Sequence, residues 1–332
     1  MTNVAMDPAS PYMRHPLRPH QLTDRVTRAA DTIVLCHLGI PKLSAAEWSL
    51  TIDGLVRRPL HLTFDELIQK PRTEIHSVHE CCGSPLRPDI PTRRVCNVVW
   101  GGVRLADLLA ECEPQLEARF LWAMGADHGT FENVQCDAFV KDVPIERIAA
   151  DVLVAYELNG APLPRENGFP ARLVVPGFYG TNNVKWLWRI VLAETRADSP
   201  FTTRWYNDPV NGLSGHPTGE TRPVWAVAPE SVIVSPAPNQ TLEAERDTEI
   251  WGWAWADGEI ESVDIGVGEK PEWINAQLEP RNGHAWRRFT ATWRPRQPGE
   301  YSLSSWAKLD SGETQPAAAA RNAVHRVPVT VI

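Results

Sequence analysis

The stretch Asp151-Val152-Leu153-Val154-Ala155-Tyr156-Glu157-Leu158-Asn159-Gly160 continues through Pro162-Leu163-Pro164-Arg165 to Gly168-Phe169-Pro170-Ala171-Arg172-Leu173-Val174-Val175-Pro176-Gly177 and Val184-Lys185-Trp186-Leu187. Leu153 to Tyr156 and Arg172 to Pro176 read as buried strands, short apolar runs bounded by Gly and Pro. Between the second run and Lys185 lies a Gly-bearing turn, Gly177-Phe178-Tyr179-Gly180-Thr181-Asn182-Asn183. Glycine permits close backbone approach to a ligand, and an Arg fork beside a Lys point charge suits phosphate. Taken alone, the pattern reads first as a surface loop with two cations. It also lacks the GxxxxGK[ST] spacing of a nucleotide-binding loop.

Working outward, residues 1–30 read as an irregular N-terminal arm. From Ile33 to Leu62 the chain is strand-like, with Trp48, Leu50 and Ile52 alternating with polar residues before Gly54. Thr63-Phe64-Asp65-Glu66-Leu67 predicts a capped short helix, and Arg104 to Leu109 an amphipathic one. Val143 to Ile148 predicts a third helix start, with Pro144 at a tolerated early position. Short helices among short strands predict a mixed α+β domain over 31–210. Residues 211–223, crowded with Gly, Pro, Ser and Thr, read as a linker. Beyond them, over 224–332, the Trp251/Trp253/Trp255, Val263/Ile265/Val267, Phe289/Ala291/Trp293 and Val327/Val329/Val331 alternations predict a β-sandwich of about 100 residues. The tryptophans read first as core packing.

Composition excludes several classes. The chain has 332 residues, 43% of them hydrophobic, with 41 acidic against 33 basic side chains and a formal charge of -8. That balance argues against nucleic acid as a partner. No run of 18 apolar residues suggests a membrane span. Met1 to His20 is polar and rich in Pro and His, without the apolar core of a secretory signal, so a cytoplasmic protein is expected. A mature chain already stripped of a leader would read the same way. The six cysteines, Cys36, Cys81, Cys82, Cys96, Cys112 and Cys136, form no CxxC pair, and most read as thiols in a reducing compartment.

The 151–187 region resembles the signature region of the sulfite oxidase family, which includes nitrate reductase and sulfane dehydrogenase. The likeness is unbroken for roughly forty-five residues from Asp151, with weaker similarity from Ile33 to the C-terminus. It implies a molybdenum-molybdopterin (Mo-pyranopterin) centre in the first domain and an immunoglobulin-like dimerisation domain behind it. The family's metal-ligating cysteine opens a Cys-x-Gly motif ahead of a Trp-Gly-Gly-Val segment. Here that is Cys81-Cys82-Gly83, followed by Trp100-Gly101-Gly102-Val103. Soft thiolate suits a metal already bound by dithiolene sulfur, and the metal itself enforces deprotonation. Cys81 is therefore the expected metal ligand.

The resemblance also implies the cofactor contacts. His37 falls in Cys36-His37-Leu38, where the family has an Asn-His-Leu step. Asp127 matches an Asp near the pterin, and Arg172 and Lys185 match its binding cations. Asn167 stands where vertebrate enzymes have His, and Asn182 and Asn183 in the turn are further candidates. Tyr206 matches a Tyr near the metal, where a phenol can orient substrate or help to move a proton. Its plainer reading is an interfacial aromatic beside Trp205.

Three departures concern the arginines that receive sulfite in the family. Leu35 holds the first position, Leu86 the second with Arg87 one step beyond, and Glu259 the third, beside Gly258. At about 4 Å and an effective dielectric near 20, each lost cation–anion contact is of order 4 kcal/mol before desolvation. The expectation is oxygen-atom transfer to or from a small substrate, not necessarily sulfite, in a more apolar pocket, with Cys81, Tyr206 and Arg87 at the catalytic centre. With no haem-binding CxxCH, a separate one-electron redox protein such as a cytochrome is the expected partner. The alternatives are an inactive cofactor carrier of the same fold and a zinc protein using Cys81, Cys96, Cys112 and His79, whose spacing suits zinc poorly.

Overall fold

The computed structural model describes residues 4–83, 93–148, 151–211, 217–317 and 321–332. Its contacts divide the chain into two units. The first comprises Met1–His15, Val34–Ile75 and Val99–Trp225, and the second comprises Pro16–Ile33, His76–Val98 and Ala226–Ile332. Two early segments thus belong with the C-terminal third, which a linear reading of composition does not reveal. Across the stretch read as a linker, Asn207–Asn211 and Pro217–Pro223 pair as antiparallel strands.

In the first unit, one sheet has the order Val140–Pro144, Phe120–Gly125, Leu187–Ala193, Ser49–Gly54, Leu60–Thr63. Its pairings are antiparallel except that Leu187–Ala193 runs parallel to Ser49–Gly54. A second sheet centres on Leu153–Leu158, which pairs with Arg172–Val174, with Ala161–Pro162 and with residues 100–104 of Val95–Arg104. Leu50, Ile52, Leu121, Ala123, Ile190 and Leu192 of the first sheet share one core with Val103, Val154 and Leu173 of the second. The predicted period of two around Trp48 and Ile52 sets which side chains enter that core.

The structure is mostly β, which corrects the α+β expectation. Among the described residues, α-helix is confined to Phe64–Ile68, Leu105–Cys112 and Pro200–Thr203. Phe64–Ile68 carries its predicted cap: Thr63 Oγ1 accepts from the Glu66 amide at 3.3 Å, and Glu66 Oε2 accepts from the Thr63 amide at 2.8 Å. Leu105, Leu108, Leu109 and Cys112 bury one face of the second helix. The predicted start at Val143 gives only one 3-10 turn, Ile145–Arg147, because Val140–Pro144 is taken up as an edge strand. No helix among the described residues is long and apolar enough to cross a membrane.

The second unit is a sandwich of two sheets. One has the order Glu230–Ser235, Thr248–Trp255, Arg287–Trp293, Gln277–Leu278; the other has Gln240–Leu242, Arg326–Val331, Gly299–Leu309, Ile260–Val267, Glu272–Asn275. Ile250, Phe289 and Ala291 pack against Val263, Ile265, Leu303, Val327 and Val329 between them. Gly252 is required where it stands, because a Cβ there would meet Val232 O at 1.9 Å.

Trp253 lies on the other face of its strand and stacks on Trp286 at 4.9 Å between ring centroids. The first of the two sequence segments that join this unit early covers that face. Trp253 Nε1 donates to Leu22 O at 2.6 Å, Trp286 Nε1 donates to Arg25 O at 2.9 Å, and the Arg25 guanidinium sits 5.4 Å from the Trp253 ring centre. Residues expected to form an irregular arm are the lid of an aromatic face. Buried indole N–H groups need acceptors, and the backbone carbonyls of the segment supply them.

Candidate cofactor site

In the first unit the site begins at the short strand Leu35–Cys36, paired with Tyr12–Met13. Lys185 follows directly on the turn after Arg172–Val174, and its ammonium donates to Leu35 O at 2.9 Å, Cys36 Sγ at 2.8 Å and Glu166 O at 3.1 Å. Gly168 lets the two cations approach. It has a φ of +111°, and a Cβ there would meet Lys185 Cβ at 3.1 Å and Arg172 Cβ at 3.2 Å. Arg172 is buried, donates to Asn167 O at 2.8 Å and Asn183 O at 2.9 Å, and lies 4.8 Å from the Trp100 ring centre. Asn183 Oδ1 accepts from the Val175 amide, and Asn182 Nδ2 donates to Tyr179 O at 3.1 Å and Val224 O at 2.9 Å.

His37 sits in an aromatic box, with ring centroids 4.9 Å from Phe131, 5.6 Å from Phe139 and 5.7 Å from Phe201. Burial, and then the Lys185 charge, push its pKa down to about 4, so the imidazole is neutral at neutral pH. Its Nε2 shares a hydrogen bond with Tyr206 Oη. Lys141, fully buried, donates to Phe201 O at 2.9 Å and lies 5.2 Å from the Tyr206 ring centre.

Cys81 belongs to the second unit and follows the strand Arg72–Glu80. Its amide donates to Arg94 O at 2.8 Å, and its sulfur accepts from the Gly83 amide at 3.4 Å. A Cβ at position 83 would lie 2.9 Å from Arg94 Nη1, the mobile end of that side chain. The Cys82 thiol, the Gly83 amide and the Arg94 charge hold the Cys81 pKa below the ordinary thiol range, against the opposing pull of burial.

Sequence comparison gives this arrangement a family. The profile of the family described as "Oxidoreductase molybdopterin binding domain" matches residues 37–201, a span that holds His37, Asp127, Asn167, Arg172, Asn182, Asn183 and Lys185. The chain is 31% identical to the mitochondrial sulfite oxidase of Homo sapiens over 341 residues, covering 89% of this chain and 60% of that protein. The chain belongs to the sulfite oxidase family of molybdopterin oxidoreductases. It is also 29% identical to a nitrate reductase of Hordeum vulgare, over 73% of this chain and 30% of that one. The crystal structure of the sulfane dehydrogenase SoxCD from Paracoccus pantotrophus superposes with a TM-score of 0.78 at 27% identity, covering 96% of this chain and 88% of that one. The chain spans about 60% of the length of the mammalian sulfite oxidases it matches.

The cofactor of this sulfite oxidase-family chain is molybdenum-molybdopterin. The buried polar atoms fit such a group. Asp127 Oδ1 and Asn182 Oδ1 are buried acceptors with no partner among the described residues, and a pterin edge offers the N–H donors they lack. The structure brings Cys36, His37, Asn167, Arg172, Asn183, Lys185 and Tyr206 into the contacts given above. The electrostatics of Cys36 and Lys185 also register Asp127. Arg87 lies outside the described residues. Sequence reasoning missed Glu166, whose carbonyl receives Lys185 and whose carboxylate pairs with Arg14 at 2.7 Å. It also missed the Phe131/Phe139/Phe201 box. Neither leaves a periodic signal, because the partners lie far apart in the chain.

Burial raises the Asp127 pKa from 3.8 to about 7, with Lys185 opposing. A folded-state pKa above the unfolded one gives stability that is complete below the unfolded value and is lost as pH rises through the folded one. In the cofactor-free protein, Asp127→Asn should therefore melt above wild type at about pH 8, with the gap narrowing towards about pH 5. Thermal melts across that range check it.

Proposed function

We propose that the chain is a molybdenum-dependent oxidoreductase that transfers an oxygen atom to or from a small substrate less anionic than sulfite. Cys81 supplies the protein's thiolate to the metal, and His37, Asp127, Asn167, Arg172, Asn182, Asn183 and Lys185 hold the pterin and its phosphate. What supports a single protein ligand is that no three His, Cys, Asp or Glu side chains among the described residues converge as a metal set. The remaining ligands then come from the cofactor. When bound, that group supplies the two-electron oxygen-transfer chemistry.

The observation that carries the substrate class is the charge at the positions where the family keeps arginine. Leu35 is apolar, and Glu259 is acidic and already paired with Arg281 at 2.8 Å and Arg287 at 2.6 Å. Tyr206 orients substrate, and the neutral His37 beside it takes up or returns the phenol proton while the phenylalanines exclude water. Electrons pass singly to or from a separate redox protein such as a cytochrome. The sandwich of the second unit serves as an immunoglobulin-like dimerisation domain.

Tyr206→Phe should lower kcat about 100-fold or more, within the usual range for a lost acid–base group, with KM little changed. Steady-state kinetics with artificial electron carriers reads this, and an unchanged kcat would remove Tyr206 from the reaction. The reading as a whole is tested by molybdenum analysis of protein from molybdate-replete cells. A screen against sulfite, nitrate and neutral S- and N-oxides follows, in which the neutral oxides should be turned over faster than sulfite. Faster turnover of sulfite would overturn the substrate class, and protein without molybdenum would overturn the whole reading.

A further inference from the structure

Lys185 stands closer to sulfur than to either oxygen it touches. Its Nζ is 2.8 Å from Cys36 Sγ, against 2.9 Å to Leu35 O and 3.1 Å to Glu166 O, although sulfur is the larger atom. Cys36 is 1% exposed, and its backbone is fixed by the strand pairing of Leu35–Cys36 with Tyr12–Met13. The thiol has no disulfide partner. Burial pushes the Cys36 thiol up and the Lys185 amine down, which favours a neutral thiol facing an amine with a weakened hold on its proton. A thiol so enclosed is shielded from bulky oxidants and from a second thiol. Dioxygen, small and apolar, is not kept out of a protein interior in the same way.

We propose that Cys36 and Lys185 are an oxidative modification site, closing to a covalent S–O–N bridge in the presence of dioxygen. One thiol, one neutral amine and one dioxygen molecule give one bridge and one molecule of water. The S–H bond and one N–H bond break, and S–O and O–N bonds form. Sulfur and nitrogen each give up two electrons; one oxygen atom stays in the bridge and the other leaves as water with the two protons. The product differs from the sulfenic, sulfinic and sulfonic acids of ordinary thiol oxidation because the amine captures the sulfur's oxygen before further oxidation. A bridged nitrogen bonded to oxygen is a weak base, so Lys185 loses its cationic form. The bridge itself rests on these side chains alone. Its consequence, a pterin anchor switched off by oxygen, rests on the cofactor role proposed for Lys185.

The test uses the full chain as isolated, one half kept anaerobic and the other exposed to air, each digested without reductant. The aired sample should yield a linked peptide pair containing Cys36 and Lys185, heavier than the separate peptides by one oxygen less two hydrogens. Dithiothreitol should split the pair, and it should be absent from the anaerobic sample. Folded Cys36→Ser and Lys185→Arg, checked by circular dichroism, should not form it. Complete alkylation of Cys36 in unfolded, aired protein would overturn the proposal, as would Cys36 sulfinic acid with Lys185 unlinked. Peptide mass reads the bridge whether or not the chain holds molybdenum, so failure of the enzyme reading cannot mimic failure of the bridge. Bridged and reduced apoprotein are then offered cofactor, and molybdenum per chain is measured. Lower uptake by the bridged form is expected, and equal uptake would overturn the anchor switch.

Discussion

Cys81→Ser loses molybdenum-dependent turnover by more than about 100-fold, since replacing a ligand should cost at least as much as disturbing the groups that orient one, while the fold stays intact. The sulfur leaves no hole in a core, since Cys81 is partly exposed and its amide bond to Arg94 O is made by the backbone. A hydroxyl is a harder ligand than thiolate and suits a sulfur-rich molybdenum centre poorly. The measurement pairs turnover with an artificial electron carrier, a melting curve and pterin content. Unchanged turnover in a molybdenum-replete variant would end the ligand assignment. Cys82→Ser is the control, because its side chain is a buried neighbour of the proposed ligand.

Arg93→Ala destabilises the chain by about 3–5 kcal/mol, the usual cost of removing one partner of a buried ion pair. Arg93 and Glu230 are both fully buried, with Nε 2.8 Å from Oε1, and Arg93 Nη2 also donates to Ala323 O at 3.0 Å. Burial already pushes the Glu230 pKa up in spite of Arg93. Without the guanidinium the carboxylate loses the counter-charge that opposes its burial. Denaturant midpoints should fall sharply for Arg93→Ala and recover in part when Glu230→Leu is added, since the second change removes the stranded charge. A shift within the ±0.5 kcal/mol of an ordinary surface change would show that the pair adds no stability. The two variants separate the roles within the His76–Val98 segment: one loses chemistry and keeps stability, the other loses stability first.

The sequence disclosed what depends on neighbours. The alternation through Trp251, Trp253 and Trp255, the Thr63 capping box and the strand at Leu153 follow from side-chain period and local hydrogen bonding, and each is present. What it withheld depends on distant partners. Val143 to Ile148 carries a helix-like pattern, yet a partner strand at Phe120–Gly125 claims Val143 and Pro144 as sheet and leaves one 3-10 turn. At the site, motif resemblance pointed to His37, Arg172 and Lys185. Nothing in the residues told that Lys185 would be received by Leu35 O, Cys36 Sγ and Glu166 O, because those partners lie 150, 149 and 19 positions away. Helix was overread at Val143 to Ile148 because short amphipathic runs look alike whether they close one turn or three.

The cover of the Trp253 face has a consequence for synthesis. Leu22 leaves the ribosome long before its partner, 231 residues later. All segments of the first unit have been made by Trp225, so that unit can close while Pro16–Ile33 and His76–Val98 still wait for indoles not yet translated. Completion of the second unit thus waits for synthesis of the Ala226–Ile332 segment. A ribosome stalled within the last third would hold a finished first unit together with two segments still lacking the strands they pack on, a natural target for chaperones and proteases.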